Sequence, residues 1–461
     1  MDINIKIPKD VEYIINELNA NGFEAYSVGG CVRDSLLNKE PKDWDITTSA
    51  KPQDVKRIFP KTIDTGIEHG TVTVRMHGEN YEVTTYRIDG KYDDGRHPNS
   101  VSFSTSLKED LLRRDFTINA MAYSPKDGLI DMYDGVNDLK NGIIRCVGNP
   151  IERFSEDALR MLRAIRFAGQ LGFEIEEGTK AAISELAENI VKVSCERIMV
   201  EISKLIISNN PDRLMLLFET GISKYFLPEW DSMAVTNQNN VNHIYSVGEH
   251  TIKVLQAVKK LYTGNDEREL RILSWSAFLH DVAKPECLTT DENGTDHFYG
   301  HPQLGSRKAD EILKRLKFDN YTINMVTRII NFHDYRFDGN RRNIRRFMNK
   351  AGVDILPYLF ILMKADICGQ SEYNRDEKSA RLEEAEQIVK DILDNHESVS
   401  LKDLCIGGND LIQAGVPQGV IIGKIMNELL DDVLDNPENN DREYLLNKSM
   451  DIYKNNYKNI F

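Results

Sequence analysis

Gly29-Gly30-Cys31-Val32-Arg33-Asp34, followed nine residues later by Asp43-Trp44-Asp45, is the stretch from which the fold can be read. Side chains alternate faces along a strand, so two aspartates two residues apart, running into Asp45-Ile46-Thr47-Thr48, are expected to point the same way. Paired carboxylates suit a divalent cation. Gly29 and Gly30 let the backbone approach a phosphate closely, and Arg33 can supply charge-assisted hydrogen bonds to its oxygens. Together these residue types describe a turn that grips a nucleoside triphosphate through Mg²⁺ and activates an attacking hydroxyl. The bland alternative is a tight turn followed by surface carboxylates, and it is the joined pattern that argues against it.

The rest of the chain bounds this reading. At 461 residues it is too long for one core, and a length-based expectation is about three domains. Hydrophobic residues at 41% and charged residues at 28% are ordinary for a soluble globular protein and exclude wholesale disorder. The longest apolar run, Ile355 to Met363, contains Pro357 and Tyr358 and is too short for a bilayer, and the start Met1-Asp2-Ile3-Asn4 resembles no signal peptide. A cytoplasmic location without a membrane partner is expected. The six cysteines are scattered with no CxxC pair, which argues for reduced thiols and against a zinc ribbon or disulfide framework. A net charge of −15 sits awkwardly with nucleic-acid binding, because phosphates are bound by Lys and Arg. Basic residues nevertheless cluster at Arg113-Arg114, along Arg160, Arg163 and Arg166, and at Arg341-Arg342 with Arg345-Arg346, so a local basic path on an acidic body is expected. No feature of the sequence specifies an oligomeric state.

The periodicity predicts an α+β chain. Val11 to Asn21 reads as a helix, Glu24 to Val28 as a strand, and Thr71 to Arg75 with Tyr81 to Tyr86 as a hairpin. Beyond residue 145 the pattern is helical, with Ser155 as an N-cap ahead of Asp157 to Gln170 and Gly172 after its end. Polar, Asn-rich sequence from Pro228 to Asn242 marks a boundary.

Three further groups carry chemistry in the first half. Glu82, on the hairpin, is a candidate third carboxylate, since three acids around one or two cations can deprotonate a hydroxyl and stabilise a leaving pyrophosphate. In Arg113-Arg114-Asp115-Phe116-Thr117-Ile118-Asn119, Arg114 is a candidate triphosphate ligand, while Asp115 and Asn119, four apart, are expected to reach ribose hydroxyls from one helical face. Asp157 and Arg160, three apart on a helix, can present an acceptor beside a donor. Cytosine and adenine each offer an amine donor beside an accepting ring nitrogen, whereas uracil and guanine offer the reverse. Such a pair would accept C and A and leave buried groups unpaired with U or G. The alternative for an isolated pair is a helical salt bridge.

GGxxRD with Asp43-x-Asp45, then Asp94-Gly95-Arg96-His97-Pro98, RRDxxxN, Asp134-Gly135 with Asp138-Leu139, EDxxR and Cys195-Glu196-Arg197-Ile198 occur in the order seen in bacterial class II tRNA nucleotidyltransferases, the CCA-adding enzymes and their poly(A) polymerase relatives. The chain resembles that family over about residues 20 to 230. The resemblance implies a polymerase-β-like nucleotidyltransferase head over 1–145, an all-α neck that reads the nucleotide over 146–230, and helical body and tail domains that hold the tRNA acceptor arm. It implies that Asp43 and Asp45 are Mg²⁺ ligands, that Gly30, with Gly29 beside it, and Arg33 and Arg114 touch the triphosphate, and that Asp157 with Arg160 reads the base. Arg163 and Arg166 match positions the family also assigns to nucleotide binding. CTP, ATP and tRNA are the implied partners. Tyr92 to Pro98 looks like the flexible loop that CC-adding relatives lack, although enzymes adding only A keep one. Poly(A) polymerases tend to be basic, which favours CCA addition for this acidic chain.

Six of the ten histidines fall between His243 and His333. Val247-Gly248-Glu249-His250, His280-Asp281, His301, His333 and Asp366 resemble the HD phosphohydrolase superfamily, and the resemblance implies a helical metal-dependent domain over 231–375 ahead of a helical tail over 376–461. The implied ligands are His250, His280, Asp281 and Asp366, with His301 and His333 available to a second ion. One imidazole and one carboxylate at a helix kink can face a single divalent transition metal and leave a position for water. By family analogy the substrate is a phosphoester, such as a 2′,3′-cyclic phosphate on a damaged tRNA end. The expected activity is therefore CCA addition with a coupled HD phosphohydrolase. The alternatives are a poly(A) polymerase or A-adding enzyme, and an HD phosphohydrolase whose head is an RNA-binding module.

Overall fold

The computed structural model describes residues 5–89, 101–242 and 244–457. The Tyr92 to Pro98 stretch lies outside the described residues. The chain divides into two compact units, Met1–Ala234 with Arg315–Phe318, and Val235–Lys314 with Asp319–Phe461.

The first unit is built on a seven-stranded mixed sheet. Its strands are β1 (Ala25–Val28), β2 (Ile46–Thr48), β3 (Thr62–Gly66), β4 (Thr71–Met76), β5 (Glu79–Thr85), β8 (Met121–Ser124) and β9 (Gly128–Asp131), in the order β3-β4-β5-β2-β1-β8-β9; a separate ribbon pairs β6 (Arg87–Asp89) with β7 (Val101–Phe103). All four residues of β1 are buried, as suits a strand with neighbours on both edges. The helix α1 (Lys9–Ala20) buries Val11, Ile14, Ile15 and Leu18, a helical i, i+3, i+4, i+7 stripe, against Ile46, Val72, Val74 and Val83 of the sheet. The hairpin expected around His77 is β4–β5, paired antiparallel from Thr71↔Thr84 to Met76↔Glu79. Helices α2 (Gly30–Leu36), α3 (Pro52–Ile58), α4 (Leu107–Leu112) and α5 (Gly135–Asn141) complete the β-rich part.

Helical segments follow: α6 (Pro150–Glu156), α7 (Leu159–Leu171), α8 (Glu177–Leu186), α9 (Cys195–Ile206), α10 (Met215–Glu219) and α11 (Pro228–Val235). The helix expected over Asp157 to Gln170 is α7, which starts two residues later, and Ser155 is not its N-cap. Ser155 lies inside α6, and the chain breaks at Asp157, which is extended at φ −138°, ψ 103° before α7 begins. Gly172 ends α7 in the left-handed region at φ 74°, which a residue without Cβ adopts readily.

The second unit is nearly all helix: α12 (Val247–Leu261), α13 (Glu267–Leu279), α14 (Lys284–Cys287), α15 (His301–Arg315), α16 (Asn320–Phe332), α17 (Arg341–Ala351), α18 (Leu356–Gly369), α19 (Arg375–Asp394), α20 (Gly408–Gln413), α21 (Val420–Asp435) and α22 (Arg442–Ile452). A full capping box at Ser246 and Glu249 starts α12. The arginines read as a basic path on α17 are instead paired with acids of the same unit. Arg341 and Arg345 bond Glu397, Arg342 and Arg346 bond Asp435, and Arg345 also donates to the carbonyls of Leu434 and Asp435 at the end of α21. No described helix is long and apolar enough to cross a membrane, and all six cysteines are unpaired.

Candidate active site and candidate metal centre

In the first unit β1 runs straight into the glycine turn. Gly29 holds φ 84°, a conformation that favours glycine, and its amide donates to the Met121 carbonyl. Asp43 and Asp45 do not lie on a strand as expected: β2 begins at Ile46, one residue later. The Asp45 carbonyl still accepts from the Val28 amide at 3.0 Å, which ties the aspartate beside the glycine turn. Ile46 pairs with Val83 across the parallel β2–β5 ladder, so Asp45 and Glu82, each one residue earlier, lie level on neighbouring chains. Desolvation raises the Glu82 carboxyl above the ordinary range, and the charges of Asp45 and Asp43 add to it. The Asp45 carboxyl is raised in the same way by its packed surroundings and by Asp43, against the pull of Arg114. Asp45 is exposed to solvent. Three mutually repelling acids without an ion pair among the described residues fit a divalent cation. Their oxygens are not gathered within the 4.8 Å that marks the tightest acid and histidine groups of the chain.

Arg33 is buried. It donates to the Asn119 Oδ1 at 2.6 Å and pairs with Asp34 at 2.8 Å. Arg114 lies on the opposite side of the turn, its Nη1 3.3 Å from where a Cβ on Gly29 would stand. Asp115 and Asn119 do not share a helical face. Phe116 between them is extended at φ −129°, ψ 151° and bridges Cys146, and only Thr117–Asn119 forms a short 3₁₀ turn. The Asp115 Oδ1 accepts from Asn119 at 3.0 Å, and its Oδ2 accepts from Arg163 at 2.6 and 2.9 Å. Burial alone would raise this carboxyl, but Arg163 and Asn119 outweigh it and hold it well below the usual range. Asp115 thus joins α7 to the glycine turn through Asn119 and Arg33.

The expected side-by-side arrangement of Asp157 and Arg160 is not present. The break at Asp157 puts the two on different elements, and they take different partners. The Asp157 Oδ1 accepts from the Leu159 amide at 3.0 Å, and its Oδ2 accepts from Arg197 at 2.8 Å. Arg160 donates to Glu156 at 2.7 Å and to the Arg113 carbonyl at 2.8 Å. Arg166 faces inward to Glu201 and Gln170 and stacks 3.8 Å over the Phe167 ring, which Arg33 and Arg163 also approach at 5.0 and 5.5 Å. The sequence analysis missed Phe167, Arg197 as the partner of Asp157, and the buried carboxylate Asp110. An acid three and four residues before two arginines was the available signal for Asp110.

The second unit gathers all six implied ligands. His280 follows α13 directly and Asp281 comes next; His250 comes from α12, His301 opens α15, His333 follows α16, and Asp366 lies on α18. Two groups have ligand atoms mutually within 4.8 Å, His250–His280–Asp281 and Asp281–His301–His333. They share Asp281. Asp366 joins the first, its Oδ1 2.9 Å from the His250 Nε2. All four imidazoles turn Nδ1 to a backbone carbonyl, of Gly369, Ala277, Phe298 and Ile330, at 2.7 to 3.2 Å. A carbonyl only accepts, so each Nδ1 carries a proton and each Nε2 is turned inward, the orientation metal-ligating histidines take. Both Asp281 oxygens are buried without hydrogen-bond geometry to any group, although Lys284 Nζ lies 2.7 Å from one. Burial would raise the Asp281 carboxyl; His280 and Lys284 hold it well below the ordinary range. A donor set of this kind fits two transition-metal ions bridged by one carboxylate. Asp281, His301, His333 and Asp366 line a cavity of about 810 Å³ that also meets Lys284, Arg336, Lys378, Tyr299 and Tyr373.

Comparison with known proteins agrees with the first unit's geometry. Residues 25–145 match the "Poly A polymerase head domain" model, 172–233 the "Probable RNA and SrmB- binding site of polymerase A", and 298–448 the tRNA nucleotidyltransferase domain 2 model. The CCA-adding enzyme of Enterococcus faecalis is 56% identical over 218 residues, 47% of this chain and 54% of that protein, and that of Lactiplantibacillus plantarum is 50% identical over 226 residues, 49% and 56%. The chain spans about half the length of these curated relatives. The CCA-adding enzyme of Bacillus stearothermophilus, solved in complex with CTP, superposes with a TM-score of 0.71 at 28% identity, over 99% of this chain and 100% of that one. The Thermotoga maritima CCA-adding enzyme, solved with tRNA, shares the fold at a TM-score of 0.59 and 22% identity, over 98% and 96%. The chain thus matches the models of a poly A polymerase head domain, an RNA-binding site of polymerase A and a tRNA nucleotidyltransferase domain, each over part of its length, and it is similar to CCA-adding enzymes in sequence over nearly half its length and in fold over almost all of it.

Proposed function

We propose that the chain is a nucleotidyltransferase that builds or repairs the 3′-terminal CCA of tRNA from CTP and ATP, with a head at 1–145, a neck at 146–230, an HD domain at 231–375 and a tail at 376–461. It acts in the cytoplasm, where tRNA matures. The observation that carries the reading is the level placement of Asp45 and Glu82, each one residue before the Ile46↔Val83 pair of the parallel β2–β5 ladder, beside the Gly29–Gly30 turn. Asp43, Asp45 and Glu82 would hold Mg²⁺, which when bound withdraws charge from the α-phosphate and favours the ionised form of the tRNA 3′-hydroxyl. Gly29 and Gly30 leave room for the triphosphate, and Arg33 and Arg114 flank it with guanidinium charge. The 3′-oxygen attacks the α-phosphorus and pyrophosphate leaves. Asp115, Asn119 and Arg163 tie the nucleotide turn to α7, and Asp157 and Arg160 supply the acceptor and donor that choose C and A once each shares its present partner with a base. Arg166 supports that helix from behind.

The test is incubation of the purified chain with tRNA lacking its terminal triplet, labelled CTP and ATP, followed by sequencing of the 3′ ends. CCA ends are expected, lost to background in Asp43→Ala and Asp45→Ala. Runs of A would identify a poly(A) polymerase, and A added only to tRNA already ending in CC an A-adding enzyme.

The two triads that share Asp281 favour a second activity in the same chain, metal-dependent phosphoester hydrolysis of the HD type. RNA ending in a 2′,3′-cyclic phosphate is the substrate to try. Asp281→Asn is expected to abolish hydrolysis and spare CTP incorporation, and Asp45→Ala to do the opposite. Hydrolysis without any incorporation would reduce the head to an RNA-binding module.

A further inference from the structure

The helix α4 carries a carboxylate that no step above uses. Asp110 is 0% exposed, and four donors converge on it. Its Oδ1 accepts from the Arg113 Nε at 2.9 Å and Nη2 at 2.7 Å; its Oδ2 accepts from the Thr47 hydroxyl at 2.9 Å and the Arg114 Nη2 at 3.2 Å. Thr47 lies on β2, two residues beyond Asp45, so one carboxylate ties the strand that follows the cation-binding acids to the guanidinium across the turn. Arg114 is held by this contact at one end only. Its Nη1 stands 3.3 Å from the Cβ position of Gly29, and its Nε is buried with no hydrogen-bond partner. A buried guanidinium nitrogen left unsatisfied beside a glycine turn is a donor waiting for an anion.

We propose that Asp110 is a positioning residue: it fixes Arg114 from behind so that the free edge of the guanidinium meets the triphosphate over Gly29 and Gly30. The inference rests on the nucleotidyl-transfer reading and adds to it the residue that sets the geometry of the triphosphate clamp. A fork-shaped guanidinium anchored at one nitrogen can be aimed only in a narrow arc, whereas an unanchored one sweeps a wide range of rotamers. Because the triphosphate is common to both substrates, Asp110 acts on CTP and ATP alike and not on base choice.

The experiment measures equilibrium binding of Mg·CTP and Mg·ATP, and of tRNA, to the full chain and to Asp110→Asn, Arg114→Lys and the double variant. Asp110→Asn keeps the shape, removes the charge and is expected to weaken both nucleotides by about tenfold, equally, with tRNA affinity unchanged. The double variant is expected to bind no more weakly than Arg114→Lys alone, since Asp110 acts through Arg114. Additive losses, or unaltered CTP and ATP affinity in a folded Asp110→Asn, overturn the role. Should Asp110→Asn fail to fold, Thr47→Val, which removes one of the four donors, is expected to weaken both nucleotides by about threefold, and unchanged affinity there overturns the role as well. A wild-type chain that binds neither nucleotide overturns the nucleotidyl-transfer reading itself, an outcome distinct from normal wild-type binding beside an unaffected variant.

Discussion

His301 and His333 turn their Nε2 atoms toward one another across 3.3 Å while each Nδ1 donates to a backbone carbonyl, of Phe298 at 2.8 Å and of Ile330 at 2.7 Å. With both rings neutral neither Nε2 has a proton to share, and two lone pairs would confront one another in a buried site. His250 and His280 repeat the arrangement, also at 3.3 Å. An ion between each pair turns repulsion into ligation. The chain is therefore expected to bind two divalent transition-metal ions, one per triad. Metal analysis after dialysis against Mn²⁺ or Co²⁺ measures the stoichiometry. Loading at a hundredfold excess over Kd stabilises by about 2.7 kcal/mol for each ion, which for a unit of this size is a rise of roughly 5–10 °C in its melting temperature per ion bound. Asp281→Asn removes the shared ligand and is expected to abolish both the binding and the rise.

Acidification acts on the other site with the opposite emphasis. The Asp45 and Glu82 carboxyls are raised, first by desolvation and then by neighbouring carboxylates, so they take up protons above the ordinary carboxylate range near 4. Mg²⁺ requires them ionised. CTP incorporation is expected to fall as pH is lowered toward that range, and Glu82→Gln, which removes one repelling charge from Asp45, to move the acid limb to lower pH. The sign for stability is fixed by the same shifts. A carboxyl whose folded pKa lies above its unfolded value costs stability once ionised, so without a cation Asp45→Asn is expected to melt higher than wild type at pH 7. Saturating Mg²⁺, which stabilises only the wild type, is expected to close the gap.

Arg166 and Glu201 form the most enclosed ion pair of the first unit's helices, with both side chains less than a tenth exposed. Breaking such a pair leaves one buried charge uncompensated. Glu201→Gln is expected to cost about 3–5 kcal/mol in urea unfolding, and Arg166→Met together with Glu201→Leu to recover much of it, because two apolar side chains need no partner. A binding role for Arg166 would instead appear as lost nucleotide affinity in a fully stable Arg166→Met variant.

These residues also mark how far the sequence could be read. The glycine turn, the hairpin and the clustering of the histidines with Asp281 were legible because each rests on local spacing or on rare residue types gathered in order. His280 and Asp281 adjoin, and His250, His301, His333 and Asp366 are brought to them by helical segments. Partnerships across the fold were not legible. Nothing within α17 says that its four arginines meet Glu397 and Asp435, roughly 50 and 90 residues onward. The i, i+4 spacing of Asp115 and Asn119 suggested a helix, but Phe116 extends to bridge Cys146 and bury its ring, and tertiary packing overrode the local pattern. The helical period also runs unbroken through Asp157, so the interruption there becomes visible only with Arg197, 40 residues away, on its carboxylate.

That interruption bears directly on nucleotide choice. Both oxygens of Asp157 are engaged, one by the Leu159 amide and one by Arg197, and Arg160 is turned to Glu156 and the Arg113 carbonyl. An ionised carboxylate has about four acceptor sites, so an exocyclic amine can join without displacing Arg197. A uracil or guanine carbonyl in the same place would meet that carboxylate oxygen to oxygen. Rejection then rests on Asp157 being present and oriented, more than on any attraction from Arg160. Asp157→Ala is expected to raise incorporation of UTP and GTP relative to CTP and ATP by at least about tenfold, with triphosphate affinity little changed. Competition assays with all four nucleotides on tRNA lacking its terminal triplet measure the ratio. Undiminished exclusion of UTP and GTP by a folded Asp157→Ala chain would remove the residue from base selection and leave it as the anchor that Arg197 uses to start α7.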